Sequence, residues 1–582
     1  MQLSLFRARI IRFRPDPRWF FLGVPVLVVA YLTVIPLGML VVGAFKTGDP
    51  GTAGELTLQN FFNAYGDPTI YPLLFNSVTY ALGTALVSLI IGTGLAWIVE
   101  RTDTPGKSLF YSLTLIPFII PGVLHTIAWI YLLSPRIGFI NRILVSILNL
   151  VEPPFDVFTL GGMIWVEAMH LSPLVFVLMT ASMRSMDPAL EEAAMTSGGN
   201  IFKTLRRVTL PLMLPALASI VLIMFIRGLE SFEVPALIGL PAQIRVFTSR
   251  IYLALKNFPP DFGLAGAYSL TLIVLSGVGI YFYNRATARA ENFATVSGKA
   301  FRPRTMQLGR WRWLTFGIFI LYFFLIAGLP FFILLWGSLV PYFTPPAWDM
   351  LDKLTLSNYR DLNILACGPN QSLCLRTRAA FTNSLLLGMG AATVVMALTA
   401  VIAWITIRTR WRGRGWLDLM AFVPITIPGL VLAVSLMWVY LTFQIGIYGT
   451  VWILLIAYVT RFMPYGMRTN SASMVQINRE LEEAASISGG SWWQTFVRIT
   501  FPLLKPGLLA GWIYVLTVSM RELSTSVLLA SSQSQVVAVL VFDLIDGGNV
   551  PRLAALSVLF IVILITMVLL AQRLGGRFGV RE

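Results

Sequence analysis

A pattern of about twenty residues occurs twice in this chain, in register and without insertion. Glu192-Ala193-Ala194, Gly198 and Leu210-Pro211 return as Glu483-Ala484-Ala485, Gly489 and Phe501-Pro502, each residue displaced by 291 positions (192 to 483, 211 to 502). The repeat is not confined to this stretch. Asn76-Ser77, Ala96-Trp97, Pro117 and Pro121-Gly122 recur 307 positions later (76 to 383) as Asn383-Ser384, Ala403-Trp404, Pro424 and Pro428-Gly429. A chain built this way is expected to fold as two halves of one layout. Both copies of the first pattern are polar, basic islands in an otherwise apolar sequence.

The 582 residues are 57% hydrophobic and 12% charged, with a mean hydropathy of +0.77. That is too apolar for a soluble globular class. Apolar runs of about 20 residues, enough to cross some 30 Å of hydrocarbon as helices, begin near Trp19, Leu73, Leu109, Phe158, Leu212 and Leu264. Six more begin near Leu314, Phe381, Leu417, Gly449, Leu503 and Leu553. Runs such as Ala81 to Val99 are continuously apolar, without the alternation of a barrel strand. The expectation is an all-α polytopic membrane protein with about 12 transmembrane helices in two tandem six-helix halves. An even number of crossings per half makes them parallel repeats about an axis along the membrane normal. The offset falls from 307 to 291 at Pro173 and Pro464, so the first half carries 16 extra residues. They fall at roughly Ser134 to Asp156, where Ile137 to Leu150 is apolar enough to lie along the membrane surface.

The net charge of +16 is gathered in alternate connections and forms no nucleic-acid patch. Arg7, Arg9, Arg12, Arg14 and Arg18 precede the first run. Arg101 and Lys107, Arg184 to Arg207, Arg285 to Arg312, Arg408 to Arg414, Arg468 to Arg498 and Arg573 to Arg581 occupy every second connection after it. The excess of Lys and Arg on the cytoplasmic side of membrane proteins then puts both termini and both repeated loops in the cytoplasm. The expected organisation is a basic N-terminus over 1–18, a first half over 19–284 with its loop at 184–211, and a linker over 285–313. A second half over 314–573, with its loop at 475–502, and a tail over 574–582 complete it. The first run, Trp19 to Phe45, lacks a cleavage site after a short core and reads as a retained span. Cys367 and Cys374, the two cysteines, share one outward loop. Spacing leaves a disulfide and two free thiols both open.

Within each loop, Asp187-Pro188 and Asn478-Arg479 read as helix starts and Gly198-Gly199 and Gly489-Gly490 as left-handed stops. A second amphipathic segment follows, Ile201 to Val208 and Trp492 to Ile499, before the proline that opens the next span. The expected unit is helix, sharp turn, helix. Its paired alanines allow close approach, and Glu191, Glu192, Glu482 and Glu483 offer charge to a basic partner.

Glu-Ala-Ala, three residues, Gly, nine residues, Val208 or Ile499, one residue, Leu210 or Phe501, then Pro: this resembles the signature cytoplasmic loop of type I binding-protein-dependent ABC importer permeases. Phe501 departs from the leucine usual there, a change conservative in character. Because the likeness covers both halves, the chain resembles a fused permease supplying both membrane subunits in one polypeptide. The resemblance implies that Glu192, Ala193, Ala194, Gly198, Glu483, Ala484, Ala485 and Gly489 are the ATPase-coupling residues, seated in a groove of each of two ATPase subunits. It also implies a periplasmic substrate-binding protein as partner and the bacterial inner membrane as location. Of the phosphate-cradling motif only Gly106-Lys107-Ser108 is present, with Arg101 where its first glycine belongs. ATP and Mg are therefore expected on separate subunits, with no cofactor on this chain and no catalytic residue.

Ionisable side chains inside the membrane cost about 2.5 to 3.5 kcal/mol each on insertion scales and usually face a bundle interior or cavity. Here they are His125, Glu167, His170, Arg227, Glu230, Glu233, Arg461, Arg521 and Glu522. By the repeat, His170 coincides with Arg461 and Glu230 with Arg521. One account is mutual neutralisation, with Arg227 and Glu230 paired at i, i+3. The other is that Glu167, His170, Arg227, Glu230, Glu233, Arg461, Arg521 and Glu522 line a translocation path in which Glu230 and Glu233 transiently coordinate a cation. Among fused permeases the pattern is most similar to ferric-iron importers, through segments such as Phe232 to Gly239 and Asn76-Ser77. Thiamine, aminophosphonate and polyamine importers share the architecture. An ion-coupled secondary transporter of two six-span halves explains the duplication but not the matched loops.

Overall fold

The computed structural model describes residues 17–577 apart from 188, 291–304 and 363–371. The basic N-terminus, the last residues of the tail, much of the 285–313 linker, Pro188 and Cys367 lie outside them. Among the described residues, nine helices are long and apolar enough to cross a membrane, and two bent pairs raise the number to eleven. In chain order these are Gly23–Ala44, Ile70–Arg101, the pair Lys107–Ile119 and Gly122–Leu133, Leu160–Ser185, Ile201–Glu230 and Phe262–Thr287. The second half contributes Trp311–Leu339, Ser372–Arg408, the pair Arg414–Thr426 and Gly429–Thr442, Trp493–Met520 and Val550–Ala571. The remaining expected crossing falls on the 26-residue helix Val451–Gln476. Arg461 and Arg468 make it less apolar than the others. With this helix as the tenth, the helices take the positions of the twelve expected crossings, six per half.

The third and ninth crossings are not the single straight runs that hydropathy alone suggests. They bend by 96° and 111° at Pro121-Gly122 and Pro428-Gly429. Proline has no N–H for the helical ladder and pushes the residue before it out of the α region. Ile120 and Ile427 accordingly take extended backbone, at φ −69°, ψ 126° and φ −98°, ψ 113°.

Each half is built on one close packing. The second crossing lies against the fourth and fifth, and the eighth against the tenth and eleventh. Without a hydrophobic drive between helices in lipid, close approach of small residues supplies the contact. Ser77, Ala81, Ala85, Ser88 and Gly92 form the buried stripe in the first half, and Ser384, Gly388, Ala391, Ala392 and Thr399 its counterpart. A Cβ at Gly92 would come within 2.6 Å of Val175, and one at Gly466 within 2.6 Å of Val395.

The halves interlock through their first helices. The first crossing packs on the broken ninth, and the seventh on the broken third. Gly43 leaves the space that the Trp438 indole fills, and the hydroxyls of Tyr31 and Tyr440 meet at 2.5 Å. On the other side Phe110 stacks on Phe319 at 4.0 Å, and the hydroxyls of Ser172 and Tyr322 lie 2.9 Å apart.

The first half's extra segment contains the helix Phe139–Leu148. Buried Asn141 holds it in place: its Nδ2 donates to the carbonyls of Leu133, Ser134 and Phe155, and its Oδ1 accepts from the Phe155 N–H. Ile143, Ile147 and Leu148 remain exposed on it. Cys374 is disulfide-bonded.

Candidate functional site

The repeated loops fold as helix, turn, helix. Asp187 Oδ1 accepts the Ala189 N–H at 2.9 Å before the helix Ala189–Thr196, and Asn478 Oδ1 accepts the Glu480 N–H at 3.2 Å before Arg479–Ile487. Gly198 and Gly489 sit at φ +83° and +82°. That left-handed backbone is one that glycine adopts without a steric penalty. The N–H groups of Gly199 and Gly490 then close the turn onto the carbonyls of Ala194 and Ala485 at 3.0 and 2.9 Å.

The second arm differs from the sequence expectation, which ended it at the proline. Ile201–Glu230 and Trp493–Met520 are each continuous, running from the loop into the fifth and eleventh crossings. Pro211 and Pro502 have no N–H to continue the α ladder. The helix instead widens to π turns at Leu205–Thr209 and Phe496–Thr500, with Leu210 N–H on the Leu205 carbonyl and Phe501 N–H on that of Phe496. The loop's second arm is thus the first turns of a membrane helix.

The two glutamates of each loop have opposite surroundings. Glu192, Ala193, Glu483 and Ala484 are exposed, with Ala194 and Ala485 half-buried beside them, and form an outward face. Glu191 and Glu482 were expected on that face and are not. Glu191 is buried, with its Oε2 2.9 Å from Arg101 Nε and its Oε1 accepting from the Thr209 hydroxyl at 2.7 Å. Glu482 Oε1 lies 3.3 Å from Arg408 Nε and accepts from Thr500 at 3.0 Å. Sequence reading missed these partners. Arg101 and Arg408 were visible only as cytoplasmic basic residues, although they are one another's counterparts in the repeat.

Asn76-Ser77 and Asn383-Ser384 also acquire a role. The Asn76 and Asn383 amides donate to the carbonyls of Arg245 and of Gln533 and Gln535. The Ser77 and Ser384 hydroxyls accept the N–H groups of Phe247 and Val537, at the starts of the helices Phe247–Lys256 and Val537–Asp546.

The ionisable residues within the bundle separate into two groups. Glu167, Glu230, Glu522 and His125 are buried, whereas His170, Arg227, Glu233, Arg461 and Arg521 are half-buried at the junction of the two halves. Glu167 is enclosed in the first half, accepting from Tyr80 at 3.2 Å and Ser231 at 2.9 Å. Arg227 lies 3.7 Å from Glu230, as the spacing predicts, and also donates across the junction to the Tyr465 hydroxyl. Arg461 pairs with Glu522 at 3.3 Å, and Glu522 in turn accepts the Thr525 N–H at 2.8 Å. Glu230 and Glu233 both lie within electrostatic reach of Arg461 and Glu522.

Arg521 crosses to the first half. It donates to the Phe118 carbonyl, and its guanidinium carbon lies 4.6 Å from that ring's centroid. The break at Pro121 leaves the last carbonyls before it without helical N–H partners, and a cation is favoured at such a helix end. The His125 and His170 rings are tilted 44° to one another with centroids 5.4 Å apart, and His170 lies beside Gly122 of the same break. No group of three or more His, Cys, Asp or Glu side chains able to hold a metal ion occurs among the described residues.

Residues 385–580 match the family model described as binding-protein-dependent transport system inner membrane component. Over 181 residues the chain is 30% identical to the spermidine/putrescine transport system permease protein PotC of Haemophilus influenzae, covering 31% of this chain and 68% of that one. The chain belongs to this family. The permease is also 24% identical over 555 residues to the ferric transport system permease protein FbpB of Actinobacillus pleuropneumoniae, covering 95% and 77% of the two chains. A putative ferric transport system permease protein, FbpB 1 of Haemophilus influenzae, is 25% identical over 515 residues, 88% and 78% of the two. Likeness along nearly the whole chain fits a fused, two-half permease. It is a multi-pass inner-membrane permease subunit of an ABC importer.

Proposed function

We propose that this permease forms the substrate path of an ATP-driven importer and works by alternating access. Two ABC ATPase subunits engage the repeated loops in the cytoplasm, where both termini and the 285–313 linker also lie, and it is they that use ATP and Mg. A loaded binding protein docks on the opposite face. The observation that supports this most is the pair of loops. Each presents an exposed Glu-Ala-Ala face and runs without interruption into a membrane helix. Such coupling requires a two-state element biased from both sides. Substituting both Glu192 and Gly198, or both Glu483 and Gly489, is expected to leave the chain in the membrane while ATP hydrolysis no longer drives uptake. Full uptake by the variant altered in both loops would reject the assignment.

Ferric iron is the proposed cargo. Several relatives aligned over most of the chain are named as ferric permeases, and a hard cation favours carboxylate oxygens such as those of Glu230 and Glu233. Radioactive ferric iron should accumulate in vesicles holding the permease, its ATPases and its binding protein only when ATP is inside. Unchanged transport by a normally assembled Glu230→Gln, Glu233→Gln variant would remove those carboxylates from the path. The polyamine permease relative supports a second reading, since an organic polycation would use the same carboxylates. Accumulation of radioactive spermidine but not iron in the same vesicles selects it.

A further inference from the structure

The repeated loops contain a second duplicated device, on the side facing away from solvent. In the first half Arg101, the last residue of the second crossing, is 1% exposed. Its Nε pairs with Glu191 Oε2 at 2.9 Å, and its Nη2 donates to the Met183 carbonyl at 2.8 Å, near the end of the fourth crossing. Glu191 Oε1 accepts from Thr209, in the π turn at the base of the fifth. One ion pair therefore fastens four elements: the loop helix and the ends of three membrane helices.

The second half repeats this with the same residue types. Arg408 pairs with Glu482 at 3.3 Å and donates through Nη2 to the carbonyls of Met474 and Ile477 at 3.0 and 2.6 Å. Thr500 donates to Glu482 Oε1 at 3.0 Å. Arg101 and Arg408 are related by the 307 offset. Met183 and Met474, Glu191 and Glu482, and Thr209 and Thr500 are related by the 291 offset. A fortuitous contact has no reason to recur at four matched positions drawn from separate segments.

We propose that Arg101-Glu191-Thr209 and Arg408-Glu482-Thr500 are positioning clamps. They make each loop helix move as one body with the crossings beneath it, so that displacement of the exposed Glu-Ala-Ala face is passed into the bundle instead of being absorbed by a hinge. Adjacent residues on a helix point about 100° apart, which lets Glu192 face a partner while Glu191 is held inside. The tighter and more buried clamp of the first half is the stiffer one; the side chains of the second pair are 7% and 17% exposed against 1% and 4%. This inference rests on the loops being the ATPase contact.

The test uses the full chain with its ATPases in lipid nanodiscs and needs no cargo. Amide hydrogen exchange is followed over 189–196 and 210–230 with and without ATP and vanadate, alongside retention of the ATPases on affinity-tagged permease. In the wild type both segments are expected to change at least threefold on trapping. In Thr209→Val, or in Glu191→Gln, the ATPases are expected to be retained within twofold of wild type. The 189–196 change should then persist while the 210–230 change is lost, and Thr209→Ser should restore it. Changes in both segments of Thr209→Val and Glu191→Gln equal to those of wild type would overturn the clamp, as would a wild type whose 210–230 segment does not respond although the ATPases are bound. Loss of ATPases from these variants but not from wild type would also overturn it, assigning Glu191 and Thr209 to docking. A wild type that retains no ATPase would instead overturn the loop assignment itself.

Discussion

The loop ends of the two halves and their mid-membrane levels have diverged to different degrees. At the loop ends the halves use the same residue types in the same pairings: arginine, glutamate, threonine, and a glycine at positive φ. At mid-membrane the equivalent positions differ in charge and size. His170 faces Arg461 in the repeat, Glu230 faces Arg521, Ser231 faces Glu522, Tyr80 faces Leu387 and Glu167 faces Tyr458. Two-fold likeness is kept in the loops proposed to meet the ATPases, and it is absent along the junction of the halves, where the charges pair within each half and Arg227 reaches across to Tyr465.

The largest effect expected from breaking this comparison is at the clamps. Removing one member of a buried ion pair leaves an uncompensated charge, a cost of about 3–5 kcal/mol. Glu191→Ala should therefore lower the stability of the detergent-solubilised permease by an amount of that order, and Glu482→Ala by clearly less. Denaturant titration followed by tryptophan fluorescence measures both, and equal losses would remove the distinction between the halves.

The breaks in the third and ninth crossings give the next largest difference. A Cβ at Gly429 would overlap the Arg461 guanidinium, whereas one at Gly122 would meet His170 Nε2 at an ordinary 3.4 Å. Gly429→Ala is expected to displace Arg461 from Glu522 at an overpacking cost of about 1–3 kcal/mol, seen as a fall in melting temperature. Gly122→Ala should melt close to wild type.

Smaller still is the network that belongs to the first half alone. Tyr80→Phe removes the donor to Glu167 and should cost about 1 kcal/mol; Leu387, its counterpart, has no hydroxyl to lose. The same denaturant titration checks it. Least of all, Glu192→Gln should change the stability of the isolated chain by no more than about 0.5 kcal/mol, as for an exposed surface position, while weakening ATPase retention. A loss from Glu192→Gln as large as that from Glu191→Ala would mean that the outward and inward glutamates had been wrongly told apart.

Hydrophobic runs and an in-register repeat are local signals, and they carried far. The order of the apolar helices, the helix-turn-helix loops and their positive-φ glycines, and the i, i+3 pair of Arg227 with Glu230 all follow from composition and spacing within one segment. Pro121-Gly122 and Pro428-Gly429 were legible as repeat markers, but the 96° and 111° bends depend on what packs into the break. Likewise the continuity of the loop's second arm with the fifth crossing needed the π turn, which a proline permits but does not require.

What the sequence by itself determined is the layout: an all-α polytopic chain of two repeated halves, each with one polar loop of fixed spacing. Tertiary structure alone decided which glutamate of each loop faces inward, that Arg101 and Arg408 hold them, and that Arg521 caps a broken helix of the opposite half. It also decided that the first and seventh crossings interlock the halves. The physical reason is that each of these is a pairing between residues far apart in the chain. Periodicity sets the side of a helix on which a residue lies; only packing sets what it meets there.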